Sequence, residues 1–152
     1  TMLLDTKLGE TLKRVQKLNF GTIWLKVFSN KALQRQVLNW IRQDQLFNQG
    51  IDEKGRIIGL YSIATESINP SKKAGTPYTL FDSGDFYRSF FIAVSKNDIT
   101  IDADPIKTDG GVTENLFTKY GDGIIGLTDE NKSKLSAVVM EKFNRELQRI
   151  LL

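Results

Sequence analysis

The chain is 152 residues long, 40% hydrophobic and 26% charged, the ordinary balance of a folded domain large enough to bury a core. It contains no cysteine and no histidine, which excludes thiol nucleophiles, disulfides, Cys/His zinc sites and imidazole acid–base chemistry together. Lysine and arginine number 21 against 18 aspartates and glutamates, a surplus too small to argue by itself for nucleic acid or for an acidic partner.

Residues 1–5 carry no basic segment leading into an apolar one, so no signal peptide is expected. No apolar run approaches the roughly 18 residues of a membrane span, so no membrane partner is expected either. Leu4, Leu8, Leu12, Val15 and Leu18 recur at spacings of three and four and predict an amphipathic helix ending near Asn19. Its other face carries Lys7, Lys13, Arg14 and Lys17. The apolar, β-branched stretch 22–28 suits either a short strand or a continuation of that helix. Ser29 and Asn30 then offer an N-cap. Residues 31–48 read as helical, with Leu33, Val37, Trp40 and Ile41 on or near one face and Gly50 as the stop.

Residues 51–56 read as a turn and 57–62 as a short strand. The stretch 67–78 holds Pro70, Lys72, Lys73, Gly75 and Pro77, which predicts an exposed, mobile loop leading through Tyr78 to Asp82. Ser83, Gly84 and Asp85 can cap one helical turn. A hairpin of about residues 90–103 follows, and it is the clearest statement in the chain. Phe90, Ile92 and Val94 alternate with Phe91, Ala93 and Ser95, and Ile99, Ile101 and Ala103 alternate with Thr100, Asp102 and Asp104. Pro105 stops the second strand. Residues 107–111 read as loop, 113–120 as one or two helical turns and 121–127 as glycine-hinged irregular chain. Thr128 caps a last helix through Leu135, Val139, Phe143, Leu147 and Ile150. These elements predict one domain, residues 1–152, of the α+β class. A small, mainly antiparallel sheet centred on the hairpin is packed by long N-terminal and C-terminal helices.

Three constellations invite chemistry, and each has a plainer reading. Gly121, Gly123 and Gly126 match the spacing of a dinucleotide fingerprint, but a helical turn precedes them and no second strand follows, so no cofactor is expected. These glycines fit better as a tight turn or a close passage beside another chain. Asp102 and Asp104 lie on one strand face and could share a hard cation, or else form a solvated edge. Asp82 and Asp85, three apart, could pair for acid–base work or serve in turns and caps. Aromatic and basic residues also mix at 87–91, as they do in single-strand binders.

Four segments taken together carry a resemblance: Asp44–Asp52 running on to Gly59–Ser62, Asp82–Phe90, Ile101–Asp104, and Lys119–Thr128. Their order resembles small virion structural proteins of tailed bacteriophages, particularly those of Bacteroides-type hosts, which serve in the neck or tail as head–tail connector, tail-completion or minor tail proteins. The resemblance runs from about Val37 to the C-terminus. It implies a non-enzymatic subunit that assembles as a homo-oligomeric ring around the DNA channel, with other neck or tail proteins as partners and the virion, or the host cytoplasm during assembly, as its place. It implies no catalytic residues; no cofactor and no metal are expected from the residues themselves. The residues singled out for interaction are Lys72, Lys73, Gly75, Tyr78, Asp82, Asp85, Gly121, Gly123 and Gly126. The rival is a nucleic-acid-binding module that uses Lys72, Lys73 and the aromatic residues.

Overall fold

The computed structural model describes residues 7–96 and 98–152. Leu4, at the start of the predicted first helix, and Asn97, in the hairpin loop, lie outside the described residues. Four helical segments open the chain: α1 (Lys7–Gln16), α2 (Phe20–Phe28), α3 (Lys31–Asn39) and a π-helical continuation of α3 over Trp40–Gln49. Residues 22–28 are thus helix, and a separate one. Asn19 starts it by accepting from the Thr22 N–H, as Asn30 starts α3 by accepting from Leu33. In the π-helical stretch the inward face recurs about every four to five residues. That spacing suits the buried Ile41, Gln45 and Leu46. Gly50, at φ 64°, ends the segment.

The middle of the chain holds two short helices, α4 (Ile63–Ile68) and α5 (Asp85–Arg88), and two antiparallel hairpins. β1 (Phe91–Val94) pairs with β2 (Ile99–Asp102), with Ile92 opposite Ile101 and Val94 opposite Ile99. The apolar alternation of the sequence becomes the half-buried face of this hairpin, and Phe90 and Ala103 at its base are buried. β3 (Ile106–Asp109) pairs with β4 (Val112–Asn115) across Gly110 and Gly111. Residues 107–111, read from sequence as loop, are therefore strand and turn, and helix occupies only the end of 113–120 as α6 (Leu116–Tyr120). The β structure is two separate ribbons rather than one sheet. Residues 57–62 form only isolated bridges, Ile51 to Ile57 and Leu60 to Pro77.

A 3₁₀ turn, Asp122–Ile125, leads to α7 (Asp129–Leu151), 23 residues long. Thr128 caps α7 by accepting from the Asn131 N–H. The core joins Ile23, Val27, Leu33, Val37, Ile41, Leu46, Phe86, Leu116, Ile124, Val139 and Phe143, so it draws on both ends and the middle of the chain but takes no residue from α1, α4 or the β3–β4 hairpin. Trp24 stacks on Phe143 at 4.4 Å between centroids, and Phe20 stacks on the same ring at 5.9 Å, which fastens α2 to α7. α1 rests near the far end of α7, where the Arg14 guanidinium donates to the Leu151 carbonyl at 3.2 Å. Of its predicted apolar stripe Leu18, just past the helix, packs against the core, whereas Leu8, Leu12 and Val15 are exposed. No helix among the described residues is long and apolar enough to cross a membrane.

Candidate functional site

The segment expected to be a mobile loop is tied down by hydrogen bonds. The Tyr61 N–H donates to the Thr76 carbonyl, the Gly75 N–H to the Tyr61 carbonyl and the Tyr78 N–H to the Gly59 carbonyl, at 2.8–2.9 Å. Inside the excursion the Glu66 carboxylate accepts from the Ala74 N–H at 2.7 Å. Tyr78 is a wedge: its ring lies against Gly59 and makes edge contacts with Tyr61 at 4.9 Å and Tyr120 at 6.1 Å. Gly75 and Tyr78 thus shape the loop, and Lys73 points into solvent.

Asp82 is the hub of this region. Lys72 reaches one of its oxygens at 3.3 Å and Lys107, on β3, reaches the other at 2.9 Å. The hydrogen bond from Lys107 is the main reason that the Asp82 carboxyl is held below the usual range; burial opposes it. A cleft of about 490 Å³ lies on the Lys72 side, edged by Phe47, Tyr61 and Phe81. Another of about 410 Å³ lies on the Lys107 side, edged by Asp85, Phe86 and Asp109. Asp85 does not join Asp82. It pairs with Arg88 one turn on, at the surface. Each of the two carboxylates considered for acid–base work therefore has a cation of its own. Beneath them the Tyr87 hydroxyl is buried and donates to the Thr79 carbonyl, and burial pushes its pKa far above the usual phenol value.

Of the three glycines at 121, 123 and 126, the last two pass close to this chain's own Glu53, while Gly121, at φ 84°, turns the chain in open space. The Glu53 N–H donates to the Gly123 carbonyl at 2.9 Å, and the Glu53 side chain lies over Gly123 and Gly126. A Cβ on Gly126 would come within 2.8 Å of the Glu53 Cβ, so only glycine fits there without displacement. Asp102 and Asp104 turn to local work. Asp102 accepts from the Ala103 N–H at 2.8 Å and Asp104 from the Ile106 N–H at 2.9 Å. Among the described residues, no three carboxylates converge on a cation position.

Three polar side chains that sequence reasoning passed over as candidate centres are buried: Gln45, Asn131 and Asp52. Gln45 donates to the Gly126 carbonyl at 2.8 Å and accepts from the Thr128 N–H at 3.0 Å and the Asn131 amide at 2.7 Å. It thereby fixes the start of α7 to the π-helical segment. Beside this network opens a polar cleft of about 610 Å³, lined among others by Asp44, Glu53, Asp129 and Glu130.

Asp52 is the second buried polar centre. It accepts from the N–H groups of Lys54 and Arg56 and from the Arg56 guanidinium, at 2.9–3.0 Å. Burial alone would raise its pKa, but the Arg56 and Lys54 bonds outweigh burial and the net shift is downward. A carboxyl with a lowered folded pKa stabilises fully above its unfolded value of about 3.9, and that stability is lost as pH falls through the lower folded value. Urea unfolding between about pH 5 and pH 2 should show a shallower loss of stability for Asp52→Asn than for the parent chain. Parallel losses would mean that Asp52 does not carry the acid sensitivity.

No protein-family model, curated protein or solved structure matches the chain. The buried polar side chains serve the fold: Gln45 and Asn131 hold α7 and Asp52 holds the turn before Arg56, while at the surface Asp82 joins the excursion to the second hairpin.

Proposed function

We propose that this chain is a non-enzymatic structural subunit of a tailed-phage neck or tail, working by shape and by homo-oligomeric ring assembly. Its partners would be copies of itself and other neck or tail proteins, and its place the virion, reached from the host cytoplasm. The observation that carries this reading is the exposed apolar stripe of α1. Leu8 is 59% exposed, Leu12 39% and Val15 45%, three side chains on one helix face that the chain's own core leaves uncovered. Ile63 and Ile68 at the two ends of α4, 78% and 87% exposed, supply a further apolar surface on the tethered excursion. A ring repeats one heterologous contact and so requires two different exposed faces on each subunit. The neck or tail assignment rests on the resemblance of the four segments named above.

Sedimentation velocity across a wide concentration range tests the assembly. The expected outcome is a concentration-dependent shift from monomer to one closed species, visible as rings by negative-stain microscopy. A strict monomer at every concentration, alone and with neck or tail proteins of the same particle, would overturn it. Leu8→Ser should raise the concentration needed for half-assembly severalfold. It should leave the monomer's unfolding free energy within about 0.5 kcal/mol, because the side chain is surface in the monomer.

Contact with DNA through the Lys72–Lys73 pair has weaker support, since Lys72 is engaged by Asp82 and lies 5.9 Å from the Tyr61 ring centroid. Lys73 alone of the two is free to meet phosphate.

A further inference from the structure

We propose that the cleft edged by Phe47 and Phe81 is a binding site for a neutral saccharide. The proposal goes beyond the self-assembly reading and uses neither α1 nor the two α4 isoleucines.

The cleft holds about 490 Å³, within the range of about 300–1,000 Å³ usual for ligand pockets. Two phenylalanine rings stand at its edge half-exposed, Phe47 at 45% and Phe81 at 41%. Both are held in place. They meet edge to face at 5.8 Å between centroids, and Phe81 also meets the buried Tyr87 ring at 5.1 Å. A Cβ on Gly84 would come within 3.2 Å of the Phe81 ring, so the ring rests on that glycine. The backbone leading to Phe81 is strained. Leu80 has φ 57°, the one non-glycine residue in the left-handed region among the described residues. Leu80 itself packs against the core, and Phe81, the next residue, stays outside at the cleft. Strain kept beside a fixed, uncovered ring is the pattern of a site organised before its ligand arrives.

The polar part of the wall offers donors and acceptors without net charge. Its one ammonium, Lys72, and its one carboxylate, Asp82, are paired at 3.3 Å. The Asn48 side chain has no hydrogen bond among the described residues. Asn69 uses its oxygen, which accepts from the Ser71 N–H at 3.1 Å and the Ser71 hydroxyl at 2.6 Å. The amide N–H groups of both asparagines are left to donate. A sugar ring suits this set: its C–H face lies on an aromatic ring, and its hydroxyls both donate and accept. A phosphate-bearing ligand would find the cation already held by a carboxylate. A proline-rich segment has no N–H at its prolines to offer the remaining lone pairs of Asp82.

A glycan microarray of neutral glucan, mannan, galactan and N-acetylhexosamine oligomers, with uronic-acid oligomers beside them, tests the site. Calorimetry then measures the best neutral oligomer. Neutral oligomers should bind in preference to uronates, and raising the salt should change the affinity by less than about twofold, since no net charge is met. Phe47→Ala should weaken binding about tenfold through the lost ring, and Asn48→Ala severalfold through the lost donor. Phe20→Ala removes a ring 55% exposed at the start of α2, away from the cleft, and should leave binding as it is. Circular dichroism checks that each variant folds. Asn48 is a surface side chain, so its variant carries the test if Phe47→Ala does not fold. Failure of every neutral oligomer to bind the parent chain would overturn the proposal. So would a bound oligomer whose affinity survives Asn48→Ala and every folded Phe47 variant. A proline-rich decapeptide is titrated in parallel, and its binding here more tightly than any sugar would overturn the saccharide assignment. Ring assembly is read separately by sedimentation, so either reading can fail without the other.

Discussion

Replacing Gln45 with methionine should lower the unfolding free energy by about 3 kcal/mol or more, although the two side chains are close in size and shape. Gln45 is 1% exposed, and its amide satisfies the Gly126 carbonyl, the Thr128 N–H and the Asn131 amide at once. Methionine would leave two donors and an acceptor without partners in a dry place, and each such loss costs about 1–3 kcal/mol. In a chain of this length, a loss of that size lowers the melting temperature by roughly 6–12 °C. The effect should be non-additive with Asn131→Leu, because removing both ends of a buried hydrogen bond is less costly than removing one. A double-mutant cycle by urea unfolding reads this directly. A Gln45→Met loss below about 1 kcal/mol would mean that water takes over the bonds and that the start of α7 is held by packing alone.

The contrast between Gln45 and its neighbours shows what the sequence made legible. The helices with an apolar period and a capping residue could be read: α3 after Asn30, α7 after Thr128, and the β1–β2 hairpin from its alternation. Each of these signals is local, and each residue in it does what its type prefers. Gln45 breaks its local pattern, because a polar side chain among Ile41 and Leu46 reads as surface until Gly126, Thr128 and Asn131 are brought to it from more than 80 residues away.

The β3–β4 ribbon escaped for a different reason. Its strands are four residues each and mostly exposed on both faces, so no apolar alternation marks them. Gly110 and Gly111, with φ of 55° and 81°, are the turn residues that such a hairpin demands, yet they read equally well as loop. The candidate surface was legible only in part. Lys72 and Asp82 were singled out, but not their pairing or the part of Lys107, which comes from β3 of this same ribbon. The exposure of the α1 stripe could not be read at all, since an amphipathic period says that a face wants cover and not whether its own chain provides it.

Gly50→Ala should be the most destabilising single methyl addition at a turn of this chain, at about 3 kcal/mol, and Gly55→Ala is its internal control. Both glycines have positive φ, 64° and 74°, and alanine in that region costs about 1–2 kcal/mol from backbone strain alone. They differ in what surrounds them. A Cβ on Gly55 would meet nothing within 4 Å, whereas a Cβ on Gly50 would lie 2.5 Å from the Pro77 Cβ and 2.6 Å from the Tyr78 carbonyl oxygen. That oxygen is backbone and the proline ring is stiff, so the new methyl must push the end of the excursion away from the π-helical segment. Overpacking of this kind adds about 1–3 kcal/mol. The displacement would also strain the Tyr78 wedge and the Leu60–Pro77 bridge, so the Gly50→Ala chain should exchange its Tyr61 and Tyr78 amide protons faster than the Gly55→Ala chain does. Equal losses of stability in the two variants would show that positive φ is the whole requirement at Gly50 and that the excursion is not seated against it.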